Sequence, residues 1–170
     1  MDHVNMKYQT HKKFLDVDFF KKLKGVILHE DFPWRKRDQL QEGVLYFNYC
    51  FYNDMNSQSH LYEPHIIPIL KKLKAVAPLQ VRANMLISKL FKASDWHCDY
   101  KFNCMTAILY LNDCDGGTEL KINNKIIFIK AEANKMLIFD TNVLHRPITS
   151  KDQPIRYILN FNYYMEGGKI

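Results

Sequence analysis

Between Val81 and Tyr164 turn residues cut the chain into short apolar runs. The spacing predicts strands over Val81–Leu90, Asn103–Leu111, Thr118–Ile122, Lys125–Ile129, Lys135–Phe139, Leu144–Thr149 and Arg156–Tyr164, with a further short one over Trp96–Tyr100. Asn123-Asn124 supplies a two-residue hairpin turn. So many short strands in succession point to a jelly roll or barrel.

The first 80 residues read differently. Asp16 or Asp18 caps a helix with apolar positions Phe19, Phe20, Leu23, Val26 and Ile27, ended by Glu30-Asp31-Phe32-Pro33-Trp34. Arg35–Glu42 reads as a charged loop, Val44–Tyr52 as a buried strand and Asn53–His60 as a polar loop. Pro64 opens a second helix with Ile66, Ile69, Leu70 and Leu73 as its apolar stripe. The expected class is α+β, mainly β: a jelly-roll core over 81–164, with 1–80 as N-terminal support whose helices pack outside it. Residues 1–170 are expected to form one domain, since there is no repeat, no Ser/Gly linker and no glycine between Gly43 and Gly116.

Composition narrows the class. With 47% hydrophobic and 14% aromatic residues the chain is no disordered segment. No apolar run is long enough to span a membrane, and Met1-Asp2-His3-Val4-Asn5 lacks a signal pattern. Cys50, Cys98, Cys104 and Cys114 form no CxxC pair and read as reduced thiols of a cytoplasmic protein. The net charge of +6 is local: Pro64–Ser94 holds Lys71, Lys72, Lys74, Arg82, Lys89 and Lys92 and no acidic residue. Such a stretch suits nucleic acid, a membrane surface or an anionic ligand, and composition does not choose among them.

Chemistry concentrates around His97-Cys98-Asp99. In an extended segment residues i and i+2 share a face, so His97 and Asp99 project an imidazole and a carboxylate to one side. His145, 48 residues later, is the candidate third ligand. Two imidazoles and a carboxylate leave three metal positions open, the ligand set of non-haem Fe(II) oxygenases. On the last strand Arg156, Ile158, Asn160, Asn162 and Tyr164 share a face that is polar and begins with a guanidinium, which suits a pocket for an anion. Cys104, Thr106, Ile108 and Tyr110 share a face on the strand after the HxD, and the Tyr110 hydroxyl is placed to reach the same anion. Asn84 interrupts an apolar strand and is a further lining candidate. Trp96 reads as core.

HCD, then MTAILYLN, DGGTELKI, NKMLIFD, LHRP and RYILNFNYY, in that order, resemble the Fe(II)/2-oxoglutarate-dependent oxygenase superfamily, and within it the prolyl-4-hydroxylase-like branch. The likeness covers Val81 to Tyr164. Phe32-Pro33-Trp34 and the small size also resemble oxygenases of phage and bacterial genomes. The resemblance implies a double-stranded β-helix core. It implies His97, Asp99 and His145 as iron ligands, and Arg156 as partner of the distal carboxylate of 2-oxoglutarate. Tyr110 is implied as a hydrogen-bond donor to that carboxylate, with Asn84, Asn160 and Asn162 as further groups around metal and co-substrate. It implies Fe(II), 2-oxoglutarate and O2 as reactants, with ascorbate a candidate reductant, and hydroxylation of a C–H bond with release of succinate and CO2. The expected substrate is a prolyl residue of a protein or peptide. The alternatives are a free amino acid or other small molecule, oxidative demethylation of nucleic acid, or a cupin-like binding module without catalysis. No membrane partner is expected.

Overall fold

The computed structural model describes residues 8–37, 44–87 and 92–167. Lys89, Leu90, the N-terminal residues 1–5 and most of the expected loop to Glu42 lie outside them. In chain order the elements are β1 (Tyr8–His11), α1 (Val17–Ile27), β2 (Arg35–Lys36), β3 (Leu45–Asn53), β4 (Asn56–Ser57) and a π-helical turn (Tyr62–Ile66) that runs into α2 (Ile67–Lys72). Then follow β5 (Ala75–Ile87), β6 (Met105–Tyr110), β7 (Gly117–Ile122), β8 (Lys125–Lys130), β9 (Met136–Asp140), β10 (Leu144–Ile148) and β11 (Ile155–Met165).

Two antiparallel sheets result. The larger has the order β1-β9-β6-β11-β5-β3-β2, with β4 on β3, and the smaller the order β10-β7-β8. Between them pack Ile108, Tyr110, Leu120, Ile129, Leu137, Phe139 and Ile158. The outer face of the large sheet, with Val81, Ala83, Ala107, Leu109, Leu159 and Phe161, is covered by Leu23 and Ile27 of α1 and by Ile66 and Ile69. Burying each such Leu, Ile or Phe contributes about 1.5–3 kcal/mol. This is the double-stranded β-helix with helices outside that the sequence predicts.

Local signals act as expected in several places. Asp16, not Asp18, caps α1, its carboxylate accepting from the N–H groups of Asp18 and Phe19. Asn123 and Asn124 both take positive φ in a two-residue turn between β7 and β8. Ile66, Ile69, Leu70 and Leu73 are all buried.

Other expectations are corrected. β1, missing from the sequence reading, forms by pairing with β9 at the sheet edge. The expected loops at Arg35 and Asn56 are two-residue edge strands on β3. β3 is half-buried rather than buried, because its partners β2 and β4 are so short. β5 begins at Ala75 and runs through Pro78, which lies opposite Tyr163 beside a register shift where no ladder bond is required of it. Trp96–Tyr100 is no strand. Instead the preceding segment runs beside β10 with isolated bridges Ala93–Ile148 and His97–His145. Trp96 is not core either: it is half-buried, with the Arg146 guanidinium 4.3 Å from its ring centroid.

Gly117 joins this frame to the site. A Cβ there would collide with the backbone carbonyl of Ile129 on β8, and the Gly117 carbonyl itself accepts from Arg156. Gly117→Ala should therefore cost about 1–3 kcal/mol through forced backbone displacement. Chemical denaturation checks it; an unchanged midpoint would show that β7 moves freely.

Candidate active site

His97, Asp99 and His145 come together although 48 residues separate the outer two. Their ligand atoms lie within 4.8 Å of one another. The bridge between the two histidines does this: His97 N donates to His145 O at 3.0 Å and His145 N to His97 O at 2.9 Å, bringing the rings to 4.5 Å. Asp99, two residues on, turns back toward both. Its Oδ1 is 3.9 Å from His97 Nε2 and 3.6 Å from His145 Nε2.

The surrounding groups fix which atoms face the gap. His97 Nδ1 lies 3.2 Å from Asp95 O, and His145 Nδ1 lies 3.1 Å from Val143 O. A carbonyl only accepts, so each Nδ1 carries the proton and each Nε2 offers a lone pair. Phe139 packs edge-on against the His145 ring at 4.9 Å. Asp99 Oδ2 accepts from Asn162 Nδ2 at 2.7 Å and from Thr106 Oγ1 at 3.2 Å, with Asn160 Nδ2 at 3.5 Å. One carboxylate oxygen is thus tied to the sheet while the other faces the imidazoles.

Electrostatics follow. Burial alone would raise the Asp99 pKa. The hydrogen bond and charge of His145, the Asn162 amide and the charge of His97 outweigh it and hold the carboxyl well below the usual carboxylate range. Burial, then His145, push the His97 pKa below its ordinary value.

The triad opens into a cleft with a cavity volume of about 100 Å³. Leu86, Ile108, Pro147 and Ile158 line it with apolar surface, and Tyr46, Arg82, Asn84, Thr118, Arg156 and Asn160 add polar groups. Arg156 is 1% exposed. Its Nη1 donates to Gly117 O at 2.6 Å, its Nε has no acceptor, and among the described residues it joins no ion pair. Burial pushes its pKa down, the opposite of what a salt bridge would do.

Sequence comparison finds no matching family model and no matching curated protein. Comparison of folds is informative. The chain is similar to a prolyl-4-hydroxylase from Pseudomonas putida, at TM-score 0.69 and 12% identity over 94% of this chain and 92% of that one. It is similar to a prolyl hydroxylase from Trichoplax adhaerens, solved with a peptide fragment of the hypoxia-inducible factor oxygen degradation domain, at TM-score 0.67 and 14% identity over 97% and 86%. A non-haem α-ketoglutarate-dependent epimerase of nogalamycin biosynthesis matches at TM-score 0.67 and 11% identity over 95% and 78%. The chain has the fold of the Fe(II)/2-oxoglutarate oxygenases.

On that fold the expected residues divide by position. His97, Asp99, His145, Arg156, Asn84 and Asn160 line the cleft. Asn162 is fully buried behind Asp99 and touches the cleft only through it. Tyr110 is not in the cleft wall: its hydroxyl lies 2.8 Å from Thr118 Oγ1, and Thr118 lines the cleft in its place. Burial pushes the Tyr110 phenol up to about 12, so it stays a neutral donor. Asn84 accepts from Tyr46 through its Oδ1 at 2.9 Å. Tyr46, Thr118 and Arg82 were missed. The signal for Arg82 was its phase: it shares a strand face with Asn84, and the sequence reading counted it only as part of a basic stretch.

The donor set fits a divalent metal, with two neutral imidazole nitrogens and one ionised carboxylate oxygen. The unpaired guanidinium at the far end of an apolar-walled cleft fits a dicarboxylate. Two outcomes follow. Asn162→Ala removes the shortest bond to Asp99 Oδ2 and should weaken Mn(II) binding by about 10- to 100-fold, read by electron paramagnetic resonance, with the fold intact. Acid should also weaken binding, because His97 must be neutral to ligate. Asp99 stays ionised in mild acid, so the loss should begin only below about pH 6.5, the ordinary imidazole value, and deepen as His97 protonates. Loss confined to the carboxylate range, near about pH 4, would remove His97 from the ligand set.

Proposed function

We propose that the protein is an Fe(II)- and 2-oxoglutarate-dependent dioxygenase that hydroxylates a C–H bond, with a prolyl residue of a protein or peptide as its substrate. The observation that carries this reading is the buried Arg156 guanidinium, which meets no counter-charge among the described residues and faces the same cleft as the His97–Asp99–His145 triad. A buried charge without a partner is costly, so a chain that keeps one has a ligand for it. The peptide part of the proposal is supported by the likeness to two prolyl hydroxylases, one of them solved with a peptide fragment.

In this reading His97 Nε2, His145 Nε2 and Asp99 Oδ1 hold the metal. Fe(II) held there would activate O2, the oxidant, with two of the four electrons coming from conversion of 2-oxoglutarate to succinate and CO2 and two from the substrate C–H bond. Arg156 pairs with the distal carboxylate and sets the depth at which 2-oxoglutarate lies. Thr118 adds a hydroxyl beside it, and Tyr110, hydrogen-bonded to Thr118, fixes that hydroxyl's direction. Leu86, Ile108, Pro147 and Ile158 keep water from the aliphatic part of the co-substrate. Asn162 and Thr106 stop Asp99 from turning away from the imidazoles.

Succinate release from 2-oxoglutarate tests the reading. It should require Fe(II) and vanish in His97→Ala and Asp99→Ala. Arg156→Met keeps the apolar length and removes the fork, at a cost of about 2–3 kcal/mol, so the 2-oxoglutarate requirement should rise roughly 30- to 150-fold. A wild-type protein that binds no Fe(II) would reduce the molecule to a cupin-like binding module.

A further inference from the structure

β5 brings a second guanidinium to the cleft. Arg82 lines it in phase with Asn84 and Leu86, on the same face of the strand. Its cross-strand neighbours are Asn160 on β11 and Cys50 on β3. The side chain is half-buried, its Nε is shut off from water without an acceptor, and among the described residues it joins no ion pair. Asn160, directly opposite, reaches toward Asp99, so Arg82 stands at the metal-ligand end of the cleft. Arg156 is at the other end: it pairs with Leu86, four residues or about 13 Å along the strand from Arg82.

No carboxylate of the described residues meets Arg82, which leaves its anion to the ligands of the cleft. 2-Oxoglutarate does not supply it either. On the reading above, one of its carboxylates is committed to the metal and the other to Arg156. The remaining source is the molecule that is oxidised.

We propose that Arg82 recognises an anionic oxygen group, carboxylate or phosphate, on the primary substrate and thereby selects which C–H faces the metal. The inference rests on the dioxygenase reading and adds a substrate class to it. For a peptide substrate the group is an acidic or phosphorylated side chain close to the oxidised residue. Tyr100, next to Asp99 in the chain, packs tilted against Phe102 at 4.9 Å, Phe102 stacks on Tyr164 at 6.2 Å, and the exposed Phe102 and Tyr164 offer apolar surface to the rest of the substrate.

Protein loaded with Mn(II) and saturated with 2-oxoglutarate tests this without turnover. Inorganic phosphate and acetate are the probes, read by manganese-induced broadening of the phosphate 31P and acetate carboxylate 13C resonances. Wild type should broaden at least one of them, and the one that responds names the source of the anion. Arg82→Gln should weaken the response about tenfold or more, and Arg82→Lys, which keeps the charge and loses the fork, should fall between. Arg82→Lys carries the comparison if the Gln variant fails to fold. The 2-oxoglutarate requirement for Mn(II)-complex formation should stay unchanged in both variants. Broadening that is absent in wild type, or equal in Arg82→Gln, overturns the proposal and leaves the dioxygenase reading standing. A raised 2-oxoglutarate requirement in Arg82→Gln assigns Arg82 to the co-substrate and also overturns it. Wild type that holds neither Mn(II) nor 2-oxoglutarate overturns the dioxygenase reading, and this proposal with it.

Discussion

The register of β11 governs both stability and chemistry. Leu159, Phe161 and Tyr163 point from one face into the helix-covered core. Arg156, Ile158 and Asn160 point from the other into the cleft, and Asn162 reaches the Asp99 carboxylate from the same side. β11 is paired along its length, with β5 on one side and β6 on the other. A slip of one residue would put leucine and phenylalanine at the metal end and press a guanidinium and two amides into the apolar core. The hydrophobic face therefore locks the polar face in place, and the site inherits the rigidity of the central sheet.

The interior polar groups are unequally satisfied. Asp99 is held by three donors on Oδ2 and faces two imidazoles with Oδ1. Among the described residues Arg156 has a single carbonyl acceptor, and the Arg82 Nε has none. Networks that serve the fold alone are closed on themselves, since an unsatisfied buried charge costs more than an apolar replacement. Here Asp99 Oδ2 is held by donors and Oδ1 faces the two imidazoles, while among the described residues both guanidiniums keep an Nε without an acceptor. That pattern belongs to a site organised around its ligands, where stability is given up for readiness to bind.

Much of this was legible in the sequence because period-2 alternation and turn chemistry act locally. The strands after Pro78 other than Trp96–Tyr100, and the Asn123-Asn124 hairpin, follow from spacings of a few residues, whereas His97 and Asp99 meet in a segment that is no strand because Asp99 turns back. The partnership of His145 with them was legible only as residue chemistry, since a backbone bridge between distant segments decides it. What stayed hidden is what pairing alone creates. Tyr8–His11 has no strand signal of its own and becomes β1 because β9 offers a free edge. Pro78 looked like a boundary, and a register shift opposite it lets the strand pass. Tyr110 reads in the sequence as a cleft hydroxyl, but it stands behind Thr118 of the other sheet, a placement that no linear pattern reveals.

The basic stretch from Pro64 to Ser94 shows how one charge sign divides between two periodicities. Lys71, Lys72 and Lys74 are exposed on and just after α2, and Lys72 lies 5.1 Å from the Phe14 ring centroid, so these cations stay in water and along an apolar surface. Arg82 falls on a strand, where every second side chain faces inward, and that geometry alone carries it into the cleft. A solvated lysine gains little from an anion and is screened by salt; a half-buried guanidinium with an orphaned Nε gains a charge-assisted bond and loses a desolvation penalty. The net charge of the stretch therefore says nothing about a partner. Arg82, a cation of this stretch that a strand turns into the cleft, has a reason to be completed by a ligand.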